Sequence, residues 1–437
     1  MHFVVVGNSI AGIEAAIALR NRDAHARITV VSYEHDHPFA RVSLMYIFCG
    51  QLRLEDTEFY DRDLYARMRF DRVRDLVVGV DPAAKTLSLK SGATLGYDRL
   101  LLAVGSTARR LPWAGAYDAP GGVHHFVTLP DLEGVNAVAK PGMSCAVVGG
   151  GLIGVESAEV LHLRGLKVHF LVREPWYFPV ALDKAEAEVV AEHIRHHGLD
   201  CRTGTPVDGF ERRDGKIVLR LPGEELPVDF VVGAIGVVPN TGFLVDSGIA
   251  LAPGGAIETR DNLESTSAPG VFAAGDCAQV TWPDGSRRPE QIWYTSRDQG
   301  RAAARAMLGD DVKYRRGTWY NSAKFFDIEY TTAGFIPFAA KPHKHQGVGA
   351  PGEEGHWQTW YQQLPGKAVT QRIVVKDGRV VGFNGLGTRW DHQVFMRWIH
   401  ERRSLDYVLA HMNEARFDEE FMEPFRVLPT ATLVDGA

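Results

Sequence analysis

Two stretches of this chain repeat one pattern. VVVGNSIAGIEAAIALRNRDAHARITVVSYE, close to Met1, and SCAVVGGGLIGVESAEVLHLRGLKVHFLVRE, after Pro141-Gly142, each run from an apolar strand through a glycine-rich turn into a helix and a second apolar strand. Such an internal repeat constrains the fold more than any single motif, because each copy is a βαβ unit and its two strands must lie parallel. In a nucleotide-binding turn the first glycine permits the tight bend, the second lets backbone approach a pyrophosphate, and the third lets helix pack against strand. The helix N-terminus then aims unpaired N–H groups at the phosphates.

Gly149, Gly151 and Gly154 fill all three positions, with Leu152 and Ile153 opening the helix. Gly7 and Gly12 fill two, with Ala11 between them, and Ser9 stands where the second glycine belongs. Serine costs some approach distance, yet its hydroxyl can donate a hydrogen bond to phosphate. One such turn is a weak signal, since an ordinary strand-turn-helix looks the same. Two copies, each between an apolar strand and a helix, point to two nucleotide sites.

Further strands are expected at YDRLLLAVGS, VVGAIGVVPN and VFAAGDCA, whose near-absence of charge suits parallel strands covered on both faces. Ligands of such sheets sit at the strands' C-terminal ends, which puts Asp276 in position to meet one. From about Thr318 the pattern changes to short alternating strands and then helices rich in Arg, Trp and His, the mark of a separate α+β domain.

A length of 437 residues is long for one core and fits roughly three domains. A net charge of −6 gives no basic field for nucleic acid. No run approaches the about 20 uncharged apolar residues of a membrane span. With the first strand starting almost at Met1, no room is left for a signal peptide, and the cytoplasm is the expected address. Cys49, Cys145, Cys201 and Cys277 are too far apart in sequence for a local zinc knuckle or an adjacent redox dithiol, as suits a reducing compartment. The histidines of KPHKHQG read as a solvated loop, so no metal is expected.

Taken together, the pairing of Gly7-x-x-x-x-Gly12 with Gly149-x-Gly151-x-x-Gly154, YDRLLLAVGS, VVGAIGVVPN and TSAPGVFAAGD resembles the FAD- and NAD(P)H-dependent pyridine nucleotide-disulfide oxidoreductase superfamily, in the family's order and over most of the first 317 residues. The resemblance implies an α/β fold with two Rossmann-like domains and a C-terminal α+β dimerisation-type domain. The FAD domain would comprise residues 1–112 and 245–317, the NAD(P)H domain 113–244, and the last domain 318–437. Gly7, Ser9, Ala11 and Gly12 would then serve the FAD pyrophosphate and Asp276, after Gly275, the ribityl chain. Arg41, Gly105 and Gly236 would line the cofactors. Glu34 is the candidate for the adenosine ribose, with an exposed loop glutamate as the alternative. Glu156 matches a glutamate near flavin and nicotinamide, or is a helix-surface charge.

EQIWYTSRDQG resembles the E-x-W-x-x-A-x-x-Q-G stretch of the family's ferredoxin reductases, which implies Trp293 and Gln299 beside the isoalloxazine; core packing is the alternative for Trp293. YNSAKFFDIEYTTAGF resembles the start of the dimerisation domain in the coenzyme A disulfide reductase and NADH oxidase branch, which implies a homodimer. Tyr361 and Trp360 are candidates for aromatic residues reaching the partner's active site.

The pattern also departs from the family. Where that branch has a redox cysteine, FARVSLMY has Val42, and the ferredoxin reductases' nearby lysine is replaced by Tyr46, a catalytic candidate. Cys49 is either a displaced redox thiol or a small buried hydrophobe. At the end of the second repeat Arg173 favours NADPH and Glu174 favours NADH, and the choice stays open. The resulting expectation is transfer of electrons from NAD(P)H through FAD to a small redox protein or a small-molecule acceptor. A disulfide or persulfide reductase using Cys49 or a cosubstrate thiol, and a flavin-dependent redox-sensing or assembly switch, are the alternatives.

Overall fold

The computed structural model describes residues 1–118, 122–283, 285–337 and 354–435, and the KPHKHQG histidines lie outside them. The chain forms two compact units. One comprises Met1–Arg110, His125–Ala137 and Gly236–Arg316; the other comprises Leu111–His124, Val138–Ile235 and Gly317–Ala437.

The first unit is built on the first repeat: strand β1 (His2–Val6), helix α1 (Ile10–Arg22) and strand β2 (Arg27–Ser32). A parallel five-stranded sheet runs in the order Val271–Ala273, Arg99–Leu102, β1, β2, Asp71–Arg74. Its central strand is apolar from Phe3 to Val6, where both faces are covered. Val4, Val6, Leu100 and Leu102 pack on Val80, Leu87 and Leu89 of a small antiparallel sheet. On the helical side, α1 lies against the helix Trp293–Met307, so closely that a Cβ on Gly300 would sit 2.1 Å from the Ala11 carbonyl oxygen.

The second unit repeats the plan with β3 (Ser144–Val148), α2 (Leu152–Leu163), β4 (Lys167–Leu171) and α3 (Lys184–His196). Its parallel sheet is ordered Asp200–Arg202, β4, β3, Phe230–Gly233, Val123–His124. Residues 317 onward of this unit contribute a six-stranded sheet ordered Tyr320–Phe325, Ile328–Gly334, Arg379–Leu386, Thr370–Lys376, Trp357–Gln363, Thr432–Asp435, antiparallel throughout. The helices His392–His400 and Leu405–His411 cover it, with Phe383 stacked on Phe395 at 4.0 Å and Trp398 fully buried. Trp360 is part of this core at 4% exposure, which removes it as an aromatic presented to a partner chain. Its neighbour Tyr361 points the other way, as strand alternation requires, and is half-buried.

Candidate functional site: two nucleotide turns

The glycines of the turns divide into those the chain itself needs and one that it does not. Gly7 has φ +108°, and a Cβ there would lie 2.2 Å from the Ala103 oxygen. A Cβ on Gly12 would lie 1.9 Å from the Gly7 oxygen, and one on Gly154 2.0 Å from the Gly149 oxygen. Gly149 is likewise closed, its Cβ meeting the Ala234 oxygen at 2.3 Å. Gly151 differs: its backbone is extended (φ −85°, ψ −177°), which any residue adopts, and no described atom lies within 4 Å of where its Cβ would be. Glycine at 151 therefore leaves open a space at a helix N-terminus that the protein does not fill, as a phosphate group requires.

Ser9 has nearly the same backbone (φ −78°, ψ −172°), so a side chain is accepted there without strain. Ser9 is the N-cap of α1, yet its hydroxyl makes no cap hydrogen bond, which leaves both it and the first-turn N–H groups available to an anion. The residues present fit a pyrophosphate at each turn.

At the end of β2 the Ser32 hydroxyl donates to Asn8 Oδ1 (3.0 Å), and Asn8 Nδ2 donates to the His35 carbonyl (2.8 Å). Glu34 is not the exposed loop residue of the alternative reading: its side chain is only 9% exposed. Arg41 grips both its oxygens, and the Leu129 N–H donates to Oε1 at 2.7 Å. Arg41 Nη1 also donates to the Val127 carbonyl (2.8 Å), so this guanidinium is fixed from two sides.

Across the sheet, Asp276 Oδ2 accepts from the Ser106 hydroxyl at 2.8 Å. Burial raises the Asp276 carboxyl above its ordinary range, opposed by the Ser106 hydrogen bond and the Arg41 charge. Gly275 has φ +78° and donates its N–H to Gln299 Oε1 (2.8 Å). Gln299 is wholly buried, so it positions the Gly275-Asp276 turn from behind. Trp293 opens its helix half-buried, its indole edge-on to Phe59 at 5.0 Å, and is not enclosed in the core. Gly105 (φ +66°) accepts from the Asn240 N–H, and Gly236 (φ +103°) from the Arg109 N–H. Tyr46 lies exposed on the short helix Leu44–Phe48, between Val42, 68% exposed, and Cys49, which is partly buried.

In the second unit Leu152 and Ile153 are half-buried at the start of α2. One turn on, burial and the nearby Glu159 push the Glu156 carboxyl up to about 7, against the pull of Lys324, whose ammonium is 2.6 Å from Glu159. Arg173 is 79% exposed and pairs with Glu174 at 2.8 Å, so the two charges that bear on nicotinamide choice neutralise each other. Burial raises the Tyr361 phenol, whose O–H reaches Gln363 at 3.4 Å. Asn8, Ser106, Glu159 and Lys324 are contributors that sequence reading missed; only Ser106, next to Gly105, carried a local signal.

The raised Glu156 value has a measurable consequence. An unfolded chain releases this proton near 4.5, the folded protein near 7, so stability is lost as pH rises across that window, by at most about 3 kcal/mol. Glu156→Gln is expected to abolish the loss: more stable than the parent protein at pH 8, little different at pH 4.5. Urea unfolding midpoints at the two pH values check this.

Comparison with known proteins agrees with the geometry. Residues 1–300 match the pyridine nucleotide-disulphide oxidoreductase family. The ferredoxin reductase subunit of the 5,5'-dehydrodivanillate O-demethylase of Sphingobium sp. is 31% identical over 355 residues, 76% of this chain and 82% of that protein. The ferredoxin–NAD(P)+ reductase of Sphingomonas sp. is 28% identical over 411 residues, 89% and 90% of the two chains. The solved NAD-dependent persulfide reductase of A. fulgidus shares the fold, with a TM-score of 0.81 at 23% identity over 94% of this chain and 79% of that one. No described helix is long and apolar enough to cross a membrane. The chain belongs to the pyridine nucleotide-disulphide oxidoreductase family and is an FAD-dependent NAD(P)H oxidoreductase.

Proposed function

We propose that this oxidoreductase delivers electrons from NAD(P)H to a small redox protein of the ferredoxin type, with no enzyme thiol in the path. The observation that carries the reading is the state of the thiols. Val42, at the position of the family's redox cysteine, has no thiol to offer. Burial holds Cys145 at about 12 and Cys201 and Cys277 at about 11, so all three are protonated and unreactive near neutrality. The relatives named ferredoxin reductases support the choice of acceptor.

Bound FAD supplies the conversion of a two-electron hydride into single electrons. The protein's part is to hold the nucleotides. Gly7, Ser9 and Gly12 would receive the FAD pyrophosphate, Asp276, held by Ser106, would meet the ribityl chain, and Arg41, braced by Glu34, would line the same cofactor. Gly149, Gly151 and Gly154 would receive NAD(P)H, and Glu156 and Trp293 would serve the nicotinamide and the flavin. A cytoplasmic homodimer accompanies the reading. Exposed Phe417 and Phe421, the latter 81% exposed, with Leu433 and Val434 give the C-terminal region an apolar surface for a second copy. None of the four cysteines is in a disulfide.

Cys49→Ser is expected to keep NAD(P)H-dependent reduction of a [2Fe–2S] ferredoxin within about twofold of the parent rate in stopped flow. A loss of about tenfold or more would return a thiol at Cys49 to the mechanism.

A further inference from the structure

The last residues of helix α3 and its C-cap read HIRHH, where His193 and the C-cap His197 stand four residues apart and so share a face. Their Nε2 atoms are 3.1 Å from each other. Asp327 Oδ1 lies 3.0 Å from His197 Nε2 and also contacts His193 Nε2. Asp327 comes from the two-residue turn between Tyr320–Phe325 and Ile328–Gly334, in which Phe325 pairs with Ile328. The other turn residue, Phe326, has φ +60°, a conformation that bulky side chains rarely adopt, and its ring stacks on His197 at 5.0 Å. Strain of this kind persists where the surroundings enforce it, and it clusters at functional sites.

Hydrogen bonding alone does not satisfy this triangle. Each Nε2 carries at most one proton. With both protons aimed at the carboxylate oxygen, the two nitrogens face each other as donors. With one turned to the other ring, a bare nitrogen lone pair faces the carboxylate. One edge is uncompensated either way, and a cation at the centre compensates all three. Ligands about 2.0–2.2 Å from a tetrahedral zinc stand roughly 3.3–3.5 Å apart, a small expansion of the His193–His197 and His197–Asp327 edges and a larger one of the His193–Asp327 edge, which the exposed Asp327 side chain can take up. His196, the third histidine of the segment, turns its Nδ1 to the Glu192 carbonyl and stays outside the cluster. The open side, where Asp327 is 70% exposed, leaves room for water as the fourth ligand.

We propose that His193, His197 and Asp327 form a zinc-binding site that staples the Phe326-Asp327 turn to the end of α3. It is separate from the nucleotide turns and would act on stability. The test is calorimetric titration of the chelator-treated, FAD-loaded full chain with ZnCl2, with Co2+ as a spectroscopic substitute. One zinc per chain is expected, with a raised thermal unfolding midpoint and visible Co2+ bands. Affinity should fall at least about tenfold in His193→Ala, in His197→Ala and in Asp327→Asn. It should be unchanged in His343→Ala/His345→Ala, which removes the histidine pair of KPHKHQG. Metal-free midpoints of the variants establish that they fold. Absence of binding to the folded parent protein, or zinc binding that survives His193→Ala/His197→Ala at full strength, would overturn the proposal.

Discussion

Gly151→Val is expected to leave a folded, flavin-loaded protein that NAD(P)H can no longer reduce efficiently, whereas Gly12→Val is expected to give unstable protein with little flavin. The two substitutions look equivalent in sequence, each placing a branched side chain in a nucleotide turn. Structurally they are opposites. At Gly151 the backbone is extended and no described atom lies within 4 Å of the new Cβ, so folding does not resist it. The side chain enters the space that the pyrophosphate needs, and the apparent affinity for NAD(P)H should fall by about 100-fold or more, since each 1.4 kcal/mol of lost contact is a factor of ten. At Gly12 the Cβ would lie 1.9 Å from the Gly7 oxygen and 3.2 Å from a Val5 methyl, and the obstacle at the shorter distance is backbone. Strand and helix must separate, at a cost of more than about 3 kcal/mol, and the first turn opens. Flavin absorbance per chain, urea midpoints and the NAD(P)H dependence of flavin reduction separate the two outcomes. A flavin-free Gly151→Val protein would show that this turn does something other than bind the nicotinamide nucleotide.

Arg372→Met is expected to destabilise the protein by about 3–5 kcal/mol, because it strands a buried carboxylate. Arg372 and Glu186 form an ion pair at 2.8 Å with side chains 4% and 0% exposed. Asn384 Nδ2 donates to both Glu186 oxygens at 3.1 Å, and the Ala181 carbonyl accepts from Arg372 Nη2 at 2.6 Å. Glu186 is also one half of the capping box of α3, where Asp183 accepts from its N–H. The network thus joins the start of that helix to the six-stranded sheet. Removing the cation alone leaves the anion desolvated and partnered only by weaker dipoles. Arg372→Met/Glu186→Met is expected to recover most of the loss, as apolar replacements of buried pairs generally do. Denaturant unfolding of the single and double variants measures both, and a double variant as unstable as the single would show that packing, not charge, dominates there.

How much of this was legible in sequence depended on how local the determinant was. The repeated turns were legible because part of their cause is local: Gly12 and Gly154 each close on a carbonyl five residues back, and Gly7 and Gly149 carry a positive φ, although the carbonyls that close Gly7 and Gly149, those of Ala103 and Ala234, are distant in sequence. Why Ser9 is acceptable was not legible, since it rests on an extended backbone at the helix N-cap. Glu34 depends on a guanidinium seven residues away and an amide 95 residues away, and without the second its burial could not be foreseen. Strand periodicity should have separated Trp360 from Tyr361, because neighbours on a strand face opposite sides. The family's motif singled out Gln299, but its wholly buried position behind Gly275 follows from helix packing. The His193/His197 spacing was readable, but Asp327, 130 residues later, was not.

Hydride transfer to flavin and onward delivery without a thiol relay can be read from an anaerobic titration of the FAD-loaded protein with NADH and with NADPH. Complete reduction with two electrons per chain, followed by reoxidation on adding a [2Fe–2S] ferredoxin, is the expected result. It would also decide between Arg173 and Glu174 as the determinant of nicotinamide choice. Uptake of four electrons per chain would rule out thiol-free transfer, because it requires a second redox centre in the protein.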